Sequence, residues 1–225
     1  MPEITVDIWS DLVCPWCYLG KRRFDVALAA YEHRDDVHVR WHAFELDPDA
    51  PRESALTIPQ RMRQDLGLSA AEADRGVAHL TELAAESGLT YRLADARPVN
   101  SFDAHRLMLF AEDRGVGEPV RERLMRAYTA EGARLGDRDV LGALAAEAGL
   151  DGAEVGKLLS GDGYAEAVRI DENQGHRFGV TGVPTFVFTG GGAGGADRVE
   201  RAFGARPVAE FADLLRRAHQ RAPVR

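Results

Sequence analysis

Strand-like sequence lies at the two ends of this chain, separated by over a hundred residues of helical pattern. Near the start, Ile4-Thr5-Val6-Asp7-Ile8-Trp9 alternates apolar and polar residues and is rich in β-branched ones, so it reads as a strand. Ser10-Asp11 breaks it. A helix follows, with Pro15 suited to its first position and an apolar set at Phe24, Leu28 and Tyr31. Residues 37–44 alternate strictly and give a second strand. At the far end, Pro184 to Thr189 is short, apolar and β-prone. A glycine-rich turn, Gly190 to Gly195, leads to a weaker strand near Arg198–Phe203. Pro207 opens a last amphipathic helix through Val208, Phe211, Leu214 and Leu215. The order β-α-β, helices, β-β-α predicts an α/β fold: one sheet whose halves meet in space, with a helical block inserted between them.

The block begins after a connector, residues 45 to about 60, punctuated by Pro48, Pro51 and Pro59. Ser69 with Glu72 forms a capping box ahead of Val77, Leu80 and Leu83, and Gly88 ends that helix. Helices are expected over about 102–114, 120–129 and 140–147. Asp151 with Glu154 makes a second capping box, and a last helix spans 164–178 before Gly179. The expected division is a discontinuous strand-bearing domain, 1–57 with 179–225, and a helical domain, 58–178.

The cysteines of the chain are Cys14 and Cys17, three positions apart in Cys14-Pro15-Trp16-Cys17, at the first strand-to-helix turn. A helix N-terminus offers unsatisfied N–H groups and the positive end of a dipole. With Pro15 as first helical residue, Cys14 is the N-cap, and its sulfur is expected to accept an N–H from Trp16 or Cys17, favouring thiolate. Cys17 lies a turn further in and more enclosed. That asymmetry makes Cys14 the candidate nucleophile and Cys17 the candidate resolving thiol of a disulfide exchange. A zinc half-site and an inert buried pair are the rival readings. Zinc usually takes four ligands, and neither a second cysteine pair nor paired histidines supply the rest. Two thiols are poorly hidden at such a turn, so redox chemistry ranks first.

Gly182-Val183-Pro184-Thr185 opens the third strand with a residue that cannot donate to the ladder. It reads as an edge-strand start, or as a cis X-Pro bond presenting Val183 to a substrate chain. Cis accounts for only ~5–6% of X-Pro bonds, so these residues leave the isomer open. Lys21-Arg22-Arg23 reads as a solvated helix face able to attract an anionic thiol such as glutathione. Asp11 either shuttles a proton or ends the first strand; strand termination is the favoured reading.

Composition narrows the partners. The 225 residues are 45% hydrophobic and 28% charged, which suits a folded chain with a sizeable core. A net charge of −8 disfavours nucleic acid and anionic membrane as partners. The N-terminus has no basic and apolar leader pattern, and no apolar run nears the ~20 residues of a spanning helix. The expectation is a cytoplasmic protein, where a lone cysteine pair is catalytic, redox-sensing or metal-binding rather than a staple.

Trp9-Ser10-Asp11 followed by Cys14 to Arg22 resembles the opening of the DsbA-like thioredoxin-fold oxidoreductases, in their cytoplasmic FrnE-like branch. Val180-Thr181-Gly182-Val183-Pro184-Thr185-Phe186 resembles that family's cis-proline segment. Residues 44–48 and 100–106, Glu131-Gly132 and Asp137-Arg138 also match its pattern. The resemblance implies a thioredoxin fold with a large inserted helical domain, thiol–disulfide chemistry at Cys14 and Cys17, and a cis Pro184 lying against them. Val183, Pro184 and Trp16 become substrate-binding candidates. His105, in a matched segment, is either a satisfied structural histidine or a further substrate-binding residue. The expected function is a protein disulfide oxidase or isomerase. The redox-active Cys14–Cys17 disulfide serves in place of a cofactor, glutathione is a candidate co-substrate, and no metal is expected. The partner is a thiol- or disulfide-bearing protein or a small-molecule thiol, and the chain is a monomer or homodimer. The alternatives are a glutathione-dependent isomerase of a small aromatic or polyketide molecule, where relatives carry serine at the position of Cys14, and a redox-gated binding module or chaperone.

Overall fold

The first strand forms the middle of a four-stranded sheet because each of its edges finds a partner from a different end of the chain. A computed structural model describes residues 4–191 and 197–219. Strand β1 (Ile4–Ser10) pairs in parallel with β2 (Val37–Ala43), Val6 opposite Val39. On its other side it pairs antiparallel with β3 (Thr185–Gly191), Val6 opposite Phe188. Strand β4 (Asp197–Phe203) closes the order β2-β1-β3-β4. The expected meeting of the two ends is what forms. Of the glycine-rich turn, residues 192–196 lie outside the described residues.

Alternation along the strands gives the sheet two faces. Ile4, Val6, Ile8, Phe186, Phe188 and Ala202 pack against Phe24 and Ala27 of helix α1 (Pro15–Ala29). Phe211, Leu214 and Leu215 of the last helix, Val208–His219, complete that layer. The opposite face carries Trp9 and Val187 with Phe44 and Val180.

Between β2 and β3 stand α2 (Ile58–Leu66), α3 (Ala70–Glu86), α4 (Phe102–Asp113), α5 (Gly117–Glu131), α6 (Arg138–Glu147), α7 (Gly152–Ser160) and α8 (Ala165–Arg177); the last helix is α9. Their apolar faces share one core, including Leu107, Val120, Leu124 and Leu141, and this core continues into Cys17, Tyr18 and Leu19 of α1. Helix α8 turns back to the sheet, where Trp9 Nε1 donates to the Asp171 carbonyl at 3.1 Å.

Three local expectations need correction. Pro59 does not extend the connector but sits in the first turn of α2, where its missing N–H costs nothing. The Ser69–Glu72 box forms. At α7 the Asp151 carboxylate caps the helix alone, because Glu154 pairs with Arg114 instead of returning. Lys21-Arg22-Arg23 is not a solvated face: Lys21 is 2% exposed and surrounded by Asp25, Glu118 and Glu122, which tie α1 to α5. Arg23 holds Ser87 and the Ala205 carbonyl.

Candidate active site

Strand β1 carries the chain to one end of the sheet's central strands, and the turn at Asp11–Cys14, closed by the Cys14 N–H on the Asp11 carbonyl at 3.2 Å, redirects it into α1. Cys14 is the N-cap, with extended backbone (φ −105°, ψ 111°) and Pro15 next in the helix. The expected sulfur cap is absent. The Cys17 N–H goes to the Cys14 carbonyl at 2.9 Å, while the Cys14 thiol, 4% exposed, donates to the Val183 carbonyl at 3.9 Å. Cys17 is fully buried, and its sulfur accepts the Asp11 N–H at 3.4 Å. Burial pushes the Cys17 thiol pKa up, and neighbouring Cys14 adds to the effect. Both cysteines are free thiols here. Trp16 stands 41% exposed beside them.

The Val183–Pro184 peptide bond is cis. The segment is held on three sides. The Pro184 carbonyl accepts the Gly204 N–H at 2.8 Å, the Thr185 hydroxyl donates to the Gly182 carbonyl at 2.6 Å, and the backbone of Gly20 lies against the proline ring. Thus β3 and β4, α1 and the N-terminal turn converge on the cysteine pair. From the helical block, the Tyr91 hydroxyl reaches the Pro15 carbonyl at 2.6 Å.

His105, on α4, packs against Asp11 of the turn that precedes the pair. It is 3% exposed, about as buried as Cys14 at 4%. Its Nε2 stands 3.3 Å from Asp11 Oδ1, close enough for an ion pair but off the line of a hydrogen bond. Asp11 does more than end a strand: its carboxylate accepts the Val13 N–H at 3.2 Å and the Leu46 N–H at 2.8 Å. Nearby, buried Glu45 and Glu172 share the Arg169 guanidinium, each at 2.7 Å. Burial disfavours a charged His105, yet Asp11, Glu45 and Glu172 outweigh it and raise its pKa. Sequence reasoning missed Ser10, Glu172, Tyr91 and Tyr128 at this site. Glu172 comes from α8 and Tyr128 from α5, so no local spacing marks them. Among the described residues, no group of three or more His, Cys, Asp or Glu side chains is placed to hold a metal ion, and no helix is long and apolar enough to cross a membrane.

Residues 5–216 match the family model of the DSBA-like thioredoxin domain. The protein YwbO of Bacillus subtilis is 28% identical over 205 residues, 88% of this chain and 95% of that protein. The crystal structure of the probable DsbA oxidoreductase SCO1869 from Streptomyces coelicolor superposes with a TM-score of 0.90 at 38% identity, covering 99% of this chain and 93% of that one. The cytosolic disulfide reductase DsbM of Pseudomonas aeruginosa, solved with GSH, shares the fold at a TM-score of 0.61 and 22% identity, covering 95% of this chain and 98% of its own.

Proposed function

This chain belongs to the DSBA-like thioredoxin-domain family, and from that premise we propose that it is a thiol–disulfide oxidoreductase of the oxidase or isomerase type. The observation that carries the reading is the asymmetry of the pair. Both thiols are buried, but the Cys14 sulfur, 4% exposed, meets the Val183 carbonyl beside the cis proline, while Cys17 is fully enclosed and holds the Asp11 N–H.

In the oxidised protein, a substrate thiolate attacks Cys14 Sγ. The Cys14–Cys17 bond breaks, a mixed disulfide forms, and the electron pair goes to Cys17 Sγ. A second substrate thiolate then displaces Cys14, so the substrate leaves oxidised by two electrons and the pair reduced. In reverse, Cys17 thiolate resolves a mixed disulfide held on Cys14. Val183 and Pro184 orient the substrate chain, and exposed Trp16 offers it an apolar flank. The partner is a thiol-bearing protein or a small-molecule thiol. Glutathione is a co-substrate candidate, given the ligand of the DsbM structure.

Two variants test this reading. Cys14→Ser should abolish disulfide exchange, and Cys17→Ser should accumulate a mixed disulfide seen by mass spectrometry on non-reduced protein. Full dithiol-oxidation activity in Cys14→Ser would refute it.

A further inference from the structure

A tyrosine of the helical block is bonded to the peptide that joins Pro15 to Trp16, between the two cysteines. Tyr91, in the segment after α3, is 6% exposed and shares a core with Cys14 and Cys17. Its hydroxyl donates to the Pro15 carbonyl at 2.6 Å. In an uninterrupted helix that carbonyl takes the N–H four residues on. Here the Leu19 N–H also lies against the Tyr91 oxygen, so the phenol bridges the first rung of α1. Two contacts hold it in place. The next residue, Arg92, donates its N–H to the Thr129 carbonyl of α5 at 2.7 Å, and the Tyr18 ring stacks on Tyr91 at 6.1 Å. Burial, then the neighbouring Cys14, Tyr18 and Cys17, raise the Tyr91 pKa. The phenol therefore keeps its proton and remains a donor. Tyr128 of α5 also lies within electrostatic reach of Cys14, but its buried hydroxyl has no partner.

The peptide unit that Tyr91 polarises is the one whose N–H belongs to Trp16. Pro15 has no N–H, and the Cys17 and Tyr18 N–H groups both go to the Cys14 carbonyl, at 2.9 and 3.4 Å. The Trp16 N–H is the donor of the first turn that is not turned to that carbonyl. As a thiol, Cys14 donates to the Val183 carbonyl. A thiolate has no proton to give there, and the donor left to it is the Trp16 N–H at the positive end of α1. Resting on the oxidoreductase reading above, we infer that Tyr91 is a positioning residue that sets the reduction potential of the pair, stabilising the Cys14 thiolate of the reduced protein through the Pro15–Trp16 peptide. The O–H, C=O and N–H dipoles lie head to tail, and each bond in such a chain strengthens the next. A stabilised reduced form makes the disulfide more oxidising. The helical block thereby tunes a cysteine pair carried by the other part of the chain.

The test equilibrates the full-length protein with glutathione buffers, where the Cys14–Cys17 disulfide and two glutathiones exchange for the dithiol and one glutathione disulfide. Tyr91→Phe keeps the ring and removes the hydroxyl. It should lower the equilibrium constant for reduction roughly threefold to tenfold, the worth of about one net hydrogen bond, which is a potential about 15–30 mV more negative. Alkylation of the reduced variant by iodoacetamide at neutral pH, which reads the Cys14 thiolate, should slow as well. Replacing Tyr91 by 2,3-difluorotyrosine, a stronger donor, should move the potential the opposite way, which a merely structural role does not predict. Tyr18→Phe is the control. It loses the bond to Glu122 at 2.5 Å from the same helix, without touching Pro15, and should leave the potential unchanged. A wild-type potential in Tyr91→Phe, or an equal shift in Tyr18→Phe, would overturn the inference. Should Tyr91→Phe fail to fold, the fluorinated protein alone decides, and an unchanged potential there overturns it. A wild-type pair that fails to exchange with glutathione would instead refute the oxidoreductase reading itself, so the two failures are distinguishable.

Discussion

At Gly20 the closeness of α1 to the cis-proline segment leaves no room for a side chain. A Cβ there would stand 2.9 Å from Pro184 Cγ and 3.5 Å from Phe186 Cζ. Gly20→Ala should therefore push the proline ring away from the cysteines. We expect a loss of about 1–3 kcal/mol, seen as a lowered melting temperature, together with slower disulfide exchange. A variant unchanged in both would show that this contact is dispensable. At this scale the sequence was most informative where chemistry is short-range. Cys14 and Cys17 announce themselves by spacing and by the strand before them, and Val183-Pro184 by a proline at a strand start. Residues acting over long range were invisible. His105 read first as a satisfied structural histidine and second as a substrate contact, because the α4 sequence carries apolar residues on several sides. Lys21 read as solvent-facing because its carboxylate partners Glu118 and Glu122 lie a hundred positions away. The sulfur cap failed for a reason beyond local sequence: Val183, from the other end of the chain, takes the Cys14 thiol.

The elements are joined by polar clamps as much as by apolar faces. On the sheet face opposite α1, His42 of β2 is held between Asp7 of β1, at 2.7 Å, and Asp171 of α8, at 2.9 Å. Arg40 closes on Asp7 with two bonds, and the Trp9 ring stacks on His42 at 4.6 Å. Burial works against the charge on His42, but the two aspartates prevail and raise its pKa from 6.5 to about 9. A pKa raised on folding stabilises the fold fully below the unfolded value, and that stability is lost as pH climbs through the folded value. The clamp should thus be at full strength below pH ~6.5 and fade through pH 9. The loss is on the order of 3 kcal/mol if the whole shift is realised. Asp7, whose pKa is lowered because His42 and Arg40 overcome its burial, works in the other direction. Its share is present above the ordinary carboxylate range and lost as acid protonates it. Urea midpoints followed from pH 6 to 10 should fall in the wild type and flatten in His42→Gln; parallel curves would remove the clamp from the account. Strand alternation and capping signals made most elements legible. Helix α2 was lost because proline was weighed as a breaker without regard to its place in a first turn, and the α8 return to the sheet left no trace in its own sequence.

For the molecule as a whole, the decisive fact is that the helical core does not stop at the inserted helices. Cys17, Tyr18 and Leu19 belong to it, while the other side of the same helix, at Phe24 and Ala27, belongs to the core beneath the sheet. Helix α1 is therefore shared, and the sequence-based division at residues 58 and 178 should not appear as two units that melt apart. Calorimetry is expected to show a single transition, with calorimetric and van't Hoff enthalpies in agreement; two resolved transitions would mean that α1 couples the cores only weakly. The alternating strands near the start and the short apolar strand near the end were enough to suggest one sheet. The shared helix was not readable, since both of its faces are apolar over a single short stretch. The distance along the chain between Cys14 and Val183, 169 positions, also has a meaning in time. At synthesis rates of about 5–20 residues per second, the cysteines leave the ribosome roughly ten to thirty seconds before the strand that faces them. Through that interval the nascent chain carries two uncovered thiols and no enzyme, and the last strands of the sheet to be made are the ones that switch the chemistry on.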